Sequence, residues 1–420
     1  MTQPNSCQIP WTQKIRRDNK IHQLLPMQVY NTVNLDHKDL VHDVAYDYYG
    51  QSLASCSSDH HIKVWAKNTN PAPTNPNEID PAWICTDDWT AHQGPVWKLQ
   101  WAHPQYGRIL ASCSFDRTVA IWEELNHESS DSQTTTRKSN WKLRTRRDSQ
   151  EPVHDIAFAP RSLGLQLATV SGDGYVRIYK PDDASNLEYW HETSFDAVVT
   201  DPSNNNGVHQ NVRARQLTSV AWCQAHFCPP MLAVAAKDGS IRIWAFNERY
   251  ERWQIVHNLV GHTAAVHSIA WAPDTGRSYH LLASASSDSS VRIWGIAKSG
   301  DRTDAPDDGN SSSNNVGNGT NGVGSSNNVG KETKNNNNTN KLGKLVGSSA
   351  SMQKAKDVKE NAHGQGKEVW RVQWDISGMQ LASSGDDGKV RLWRKKLQGL
   401  QFENFETIDS NFVPTREEEE

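Results

Sequence analysis

The chain has 420 residues but only six cysteines and five methionines, and its charges nearly cancel, leaving a formal net charge of −4. Cys7, Cys56, Cys85, Cys113, Cys223 and Cys228 lack the paired spacing of a zinc site, so no metal is expected on them. A near-neutral balance supplies no basic face for phosphate contacts, which argues against direct nucleic-acid binding. No run of about 18 apolar residues could span a membrane, and the polar N-terminus lacks the apolar core of a secretory signal. A soluble intracellular chain without a transmembrane segment is therefore expected. Neither Gly-x-Ser-x-Gly nor His-Glu-x-x-His occurs, and Gly172-Asp-Gly174 falls in a hairpin pattern rather than between a strand and a helix. The expectation is a non-enzyme with no cofactor.

What is present is a repeat. Leu-Ala pairs begin at Leu53, Leu110, Leu167, Leu232, Leu282 and Leu381. Six residues after each Leu stands Asp59, Asp116, Asp173, Asp238, Asp288 or Asp387, and six further on Trp65, Trp122, Tyr179, Trp244, Trp294 or Trp393. Upstream of each pair lies an alternating run that ends in an aromatic, such as Val41–Tyr46, Val96–Trp101 and Val266–Trp271. Period-two alternation broken by Asp, Gly and Ser is strand and hairpin chemistry. The repeated Asp belongs in the tight turn between second and third strands, where its carboxylate accepts backbone N–H groups. His42, His154 and His267 share one first-strand position, which makes them a repeat feature rather than a ligand cluster. Cys56 and Cys113 occupy equivalent places in successive repeats and read as buried strand filler in a reducing compartment.

This pattern resembles the WD-repeat family, in which each repeat makes one four-stranded blade of a β-propeller. The resemblance implies a buried tie in each blade, running through a His before the first strand, a Ser or Thr on the second, the turn Asp and the Trp. Those positions hold His37, Ser55, Asp59 and Trp65 in blade one, and His92, Ser112, Asp116 and Trp122 in blade two. In blade five they hold His262, Ser284, Asp288 and Trp294. Blades three, four and six depart from it: Ser149, Arg213 and Gln365 stand at the His position, Val234 replaces the Ser and Tyr179 replaces a Trp. Those blades are expected to lean on apolar packing.

The repeat sets the boundaries. Residues 1–27 are expected to be a flexible extension, 28–408 the propeller, and 409–420 an acidic disordered tail. Successive Trp-position residues are 57, 57, 65, 50 and 99 apart, which places a large insert at 298–361. Rich in Asn, Ser and Gly, with an Asn335–Asn338 tract, that insert has too little apolar surface to offset chain entropy and reads as disordered. A shorter insert, 126–150, carries Arg144, Arg146 and Arg147 and reads as a solvated surface loop. The segment Gln28–Val33 reads as a strand before blade one, and Gln401–Ile408 as an outer strand of blade six. Together they are one strand too many for a closed six-bladed ring and three too few for a seventh blade. An open ring is therefore expected, with its edge at Val29, Tyr30, Thr32 and Val33 available to partner strands.

Longer segments carry a narrower resemblance over roughly residues 28 to 408. Leu40–Gly50, Ser55–Asp59 and Trp101–Gly107 resemble the coat-forming WD proteins, whose two branches are the Seh-one nucleoporins and the Sec-thirteen subunit of the COPII vesicle coat. Phe158–Ala168, Gly172–Tyr179, Asn186–Trp190, Ala272–Tyr279 and Gly385–Trp393 are more similar to the nucleoporin branch. That resemblance implies an open six-bladed propeller, completed by a blade inserted from an α-helical scaffold nucleoporin. It implies companions in the Y-shaped complex of the nuclear pore at the nuclear envelope. It also implies a place in an amino-acid-sensing SEA-type complex at the vacuolar or lysosomal surface, upstream of TOR kinase. Two alternatives stay open from sequence: a COPII coat subunit, and a peptide-reading adaptor that uses Trp97 and Trp370 at its channel.

Overall fold

In the computed structural model the described residues are 35–68, 83–125, 140–183, 186–198, 216–224, 229–297, 363–364, 366–396 and 402–409. They form six antiparallel sheets, each built from consecutive strands; five have four strands, and the fifth in sequence has three among the described residues. The chain is a six-bladed β-propeller. Blade one shows the plan, with an inner strand Val41–Tyr46, a second Ser52–Ser57, a third His61–Lys67 and an outer Trp83–Thr90. The other inner strands are Val96–Trp101, Val153–Phe158, Leu217–Trp222, Val266–Trp271 and Val369–Trp374.

Each blade is narrow and apolar on both faces, so the core lies between blades rather than within them. Ala54, Cys56, Ile62 and Val64 of blade one pack against Val96, Leu99, Leu110 and Trp122 of blade two. The same joint recurs down the chain, as where Ala283, Ala285 and Val291 of blade five meet Val369, Val372 and Leu381 of blade six. Small residues on the second strand allow this close stacking, and they include the buried Cys56 and Cys113.

The turn Asp does the same work in all six blades. One carboxylate oxygen accepts the N–H two residues on, from His61, Thr118, Tyr175, Ser240, Ser290 or Lys389. The residue after that Asp is in the left-handed region throughout, and only three of the six are glycine: Gly174, Gly239 and Gly388, against His60, Arg117 and Ser289. The Asp bond holds a turn that a side chain at that position would otherwise disfavour.

The ties form complete relays in four blades. In blade two, Trp122 Nε1–H donates to Ser112 Oγ (3.0 Å), Ser112 meets His92 Nε2 (2.7 Å), and His92 Nδ1 meets the Asp116 carboxylate (3.1 Å). The same set joins Trp65, Ser55, His37 and Asp59, and also Trp294, Ser284, His262 and Asp288. A neutral imidazole protonated at Nδ1 satisfies every member of the relay at once.

Blade six has the relay too, which corrects the expectation at Gln365. His363 meets Ser383 Oγ (3.0 Å) and Asp387 (2.8 Å), while Trp393 donates to Ser383 (2.9 Å). In blades one, two and five the His lies four residues before the inner strand, as His37 does before Val41; here it lies six before Val369. The two extra residues are absorbed by a turn with Gly364 and Gly366 at positive φ. Gln365 itself lies outside the described residues.

Blades three and four solve the problem differently. Arg177 binds Asp173 (2.6 Å) and Ser171 (2.7 Å), so a guanidinium replaces the imidazole. Ser149, expected at the His position, leaves its hydroxyl buried without a partner. In blade four Arg242 faces Asp238 at 3.6 Å, and with Val234 where a Ser would stand, the Trp244 Nε1–H is buried without an acceptor. Arg213 lies outside the described residues.

A second correction concerns 126–150. Residues 141–148 are not a loop but the outer strand of blade two, pairing with Thr118–Glu124. Its cations are used locally: Arg144 binds Glu123, while Arg146 and Arg147 donate to the carbonyls of Ala91 and Trp190. Alternation is hidden there because the apolar positions, Trp141 and Leu143, are followed by a charged run. The extension 1–27, the insert 298–361 and residues 410–420 lie outside the described residues; Asp409 ends the outer strand Phe402–Asp409 of blade six.

Ser112→Ala strands both Trp122 Nε1 and His92 Nε2, so it should destabilise by about 2–4 kcal/mol in urea denaturation. Thr169→Ala, in blade three, which has no His relay, should cost less than about half of that. The ties also set an acid limit. Burial opposes ionisation of Asp59 and Asp387, but hydrogen bonds from His37 and two backbone N–H groups, and from His363, Arg391 and a backbone N–H, hold each at about 2. Asp116 and Asp288 are held low in the same way against their burial, by His92 and His262. Burial also lowers His92 and His363 from 6.5. In both classes the unfolded chain binds protons more readily. Stability should therefore begin to fall below about pH 6.5 as the histidines are forced to charge. It should fall further from about pH 4 towards 2 as the carboxylates protonate. Denaturation midpoints measured across pH 8 to 3 test this.

Candidate partner-docking face

Three features recur between inner strands, the first two at four of the five joints; at the joint of blades two and three Phe158 has no indole and the Ile156 N–H donates to Asp155 of its own strand. The last aromatic of one inner strand donates its indole N–H to the fifth-position carbonyl of the strand before it. Trp101 donates to Ala45, Trp222 to Ala157, Trp271 to Ala221 and Trp374 to Ala270, at 2.9–3.1 Å. The fourth-position N–H donates to the third-position side chain of the preceding blade: Leu99 to Asp43, Val220 to Asp155, Ile269 to Ser219 and Val372 to Ser268. Finally, the first, fourth and sixth side chains are covered by that preceding blade.

Blade one breaks all three. Val41, Val44 and Tyr46 are 41%, 43% and 60% exposed, whereas their counterparts Val369, Val372 and Trp374 are 0%, 5% and 8% exposed. Leu40 beside them is exposed as well. Val44 stands opposite Ser55 as Leu99 stands opposite Ser112, so its N–H occupies the register that elsewhere finds a neighbouring acceptor. Tyr46 turns to the Trp83 ring of its own blade (5.7 Å) instead of reaching another. The opposite wall, on blade six, is also thinly covered. Ala382, Ser384 and Val390 are half-buried where Ala283, Ala285 and Val291 of blade five are buried. The uncovering is concentrated near the axis, since Leu53 and Trp65 of blade one are buried.

The joint between blades six and one is therefore a seam. Arg371 spans it, donating to the His42 carbonyl (3.3 Å) and lying 3.4 Å from Asp43. The strand-edge residues expected from sequence, Val29, Tyr30, Thr32 and Val33, lie outside the described residues. The face that the structure exposes, Val41, Val44 and Tyr46, was missed in sequence because its pattern is the same as that of every buried inner strand.

The inner strands surround a channel of about 770 Å³. A register shift after the first residue of each inner strand, opposite Ser171 in blade three, makes the second position a bulge. That position holds His42, Trp97, His154, Thr218, His267 and Trp370. Trp97 packs on Phe115 and on His154 of the next blade (5.1 Å), and Trp370 lies 4.1 Å from His267 of the preceding one. Both tryptophans are thus engaged in contacts between blades, and their shared bulge position explains their exposure at the rim.

The seam can be tested by stability alone. Val44→Lys should change the unfolding free energy by less than about 0.5 kcal/mol, because its side chain already meets solvent. Leu99→Lys, at the equivalent buried position of blade two, should cost more than about 3 kcal/mol. Equal losses would show that the face is covered.

Comparison with known proteins agrees with this architecture. The WD domain, G-beta repeat model matches residues 29–66, 83–123, 253–295 and 357–394. Those matches end in the blades with a complete relay: one, two, five and six. Nucleoporin SEH1 of Danio rerio is 36% identical over 382 residues, covering 88% of this chain and 84% of the relative. Nucleoporin SEH1-B of Xenopus laevis is 37% identical (88% and 85% covered), and Nucleoporin SEH1 of Homo sapiens 35% (88% and 85%). With this likeness running through all six blades, the chain belongs to the SEH1 nucleoporin family of WD-repeat β-propellers.

Proposed function

We propose that this chain is a structural subunit of the nuclear pore scaffold at the nuclear envelope, working as a rigid disc docked on an α-helical partner. The observation that carries this reading is the uncovered inner-strand face of blade one, opposite a thinly covered wall on blade six. Such a face is an edge-on liability for a lone propeller and a natural seat for strands from another chain. The partner supplies the strands that complete a blade in the seam, and the helical remainder extends into the scaffold. The names of the relatives favour the nucleoporin branch over the vesicle-coat branch. The same seam would serve a helical subunit of a SEA-type complex at the vacuolar or lysosomal surface, with TOR regulation as the consequence, since one seam accepts one inserted blade at a time. The fold and the family support a structural role rather than catalysis.

A tagged full-length chain isolated from its native cells should bring down an α-helical nucleoporin scaffold protein at one-to-one stoichiometry, identified by mass spectrometry. Asp at Val29, Tyr30 and Val33 together should lower that recovery at least about tenfold if this strand borders the inserted blade. Undiminished recovery would remove that segment from the interface. Recovery of the large COPII cage subunit alone would move the chain to the other branch.

A further inference from the structure

We propose that the strand entering the seam presents a carboxylate at its third inner-strand position, and that Arg371 is the group that recognises it. This rests on the strand-donation reading above and specifies the partner's chemistry. The third position is the hub of four of the five joints, and where it is Lys98 the Ile156 N–H that follows is taken by Asp155 of its own strand. The position holds Asp43, Lys98, Asp155, Ser219, Ser268 and Arg371 around the channel. Asp43, Asp155, Ser219 and Ser268 accept the N–H of the next blade. Arg371 carries donors only and cannot serve an N–H that follows it.

The other cation in the ring shows how such a group is satisfied. Lys98 lies 3.5 Å from Asp43 of the preceding blade, and that same carboxylate accepts the Leu99 N–H (3.0 Å). One acid thus serves both a cation and a backbone donor. For Arg371 the preceding blade offers only Ser268, which already accepts the Val372 N–H. The guanidinium therefore reaches forward across the seam to Asp43, which has Lys98 and the Leu99 N–H as donors without it. Arg371 is the replaceable third partner.

An inserted inner strand sits between Arg371 and Val44. It faces a guanidinium on one side and, on the other, an N–H in the register where Leu99 meets Asp43. A hydroxyl would satisfy the N–H and leave the charge unmatched. A carboxylate satisfies both, and charge-assisted bonds of this kind are the stronger ones. Insertion then exchanges the Arg371–Asp43 bridge for an intermolecular pair, so the bridge acts as a removable latch across the seam.

The test uses the full chain in its native complex. Arg371→Lys keeps the charge and makes it couplable by a zero-length carbodiimide. Mass spectrometry should find position 371 joined to an Asp or Glu of the helical partner. Coupling to Asp43 alone, or none in a complex that assembles, overturns the proposal. Two neutralising variants then separate latch from recognition. Arg371→Gln should lower partner recovery about tenfold at an unchanged melting temperature. Asp43→Asn, which keeps an acceptor for Leu99, should leave recovery unchanged or raise it by freeing the guanidinium. Equal losses from both variants, or no loss from Arg371→Gln, overturn the proposal. Val44→Asp in parallel distinguishes this failure from that of strand donation. Loss with Val44→Asp but not with Arg371→Gln leaves strand donation standing and removes the carboxylate; no loss from either removes both.

Discussion

A blade of four short strands has two apolar faces and no means of covering either, so every blade depends on its neighbours for burial. This dependence organises the whole molecule. Val96, Leu99 and Leu110 are buried because blade one supplies the Ala54, Cys56 and Ile62 surface beside them. The other joints follow the same rule, and all but that of blades two and three are pinned by an indole donating to a carbonyl and an N–H donating to a third-position side chain. Six blades in series make only five such joints, and the unmet demand falls on the two end faces. The seam is the remainder left when a nearest-neighbour rule runs out of neighbours.

The polar relays serve a narrower purpose. They fasten the second strand, the turn and the third strand of a single blade, and they leave the contact between blades to apolar packing. Blades three and four show the division, since both are fully stacked although one uses Arg177 in place of an imidazole and the other leaves Trp244 Nε1 without an acceptor. The WD-repeat match ends in the blades where the relay is whole, so what a family pattern detects is the relay, while what holds the propeller is the joint. A buried indole without an acceptor carries a penalty of about 1–3 kcal/mol, which the packing of blade four against blade three offsets.

Much of this was legible along the chain. The Leu-Ala, Asp and Trp spacing located the second and third strands and their turns, because hydrogen-bond register makes those distances rigid. The Gln365 assignment failed where rigidity ends: the His position lies in a loop, and two additional residues pass through it without disturbing either the relay or the strand. The outer strand at 141–148 was hidden for a related reason. Outer strands face solvent, tolerate charge, and so lose the alternation that marks inner ones. The bulge that lifts His42, Trp97 and Trp370 to the channel rim has no signature in residue type at all.

Covalent order therefore fixed the number of blades, the identity of their first three strands and three of the four complete relays, since all of these follow from local spacing and side-chain chemistry. The strand count behind the expected open ring used Gln28–Val33, which lies outside the described residues. Only the tertiary structure decided that Val41, Val44 and Tyr46 are exposed while residues of the same pattern elsewhere are buried, and that Arg371 meets Asp43 across the gap. Burial is a property of what stands opposite. For the first blade and the last, what stands opposite is set by how far around the axis the other five have carried the chain.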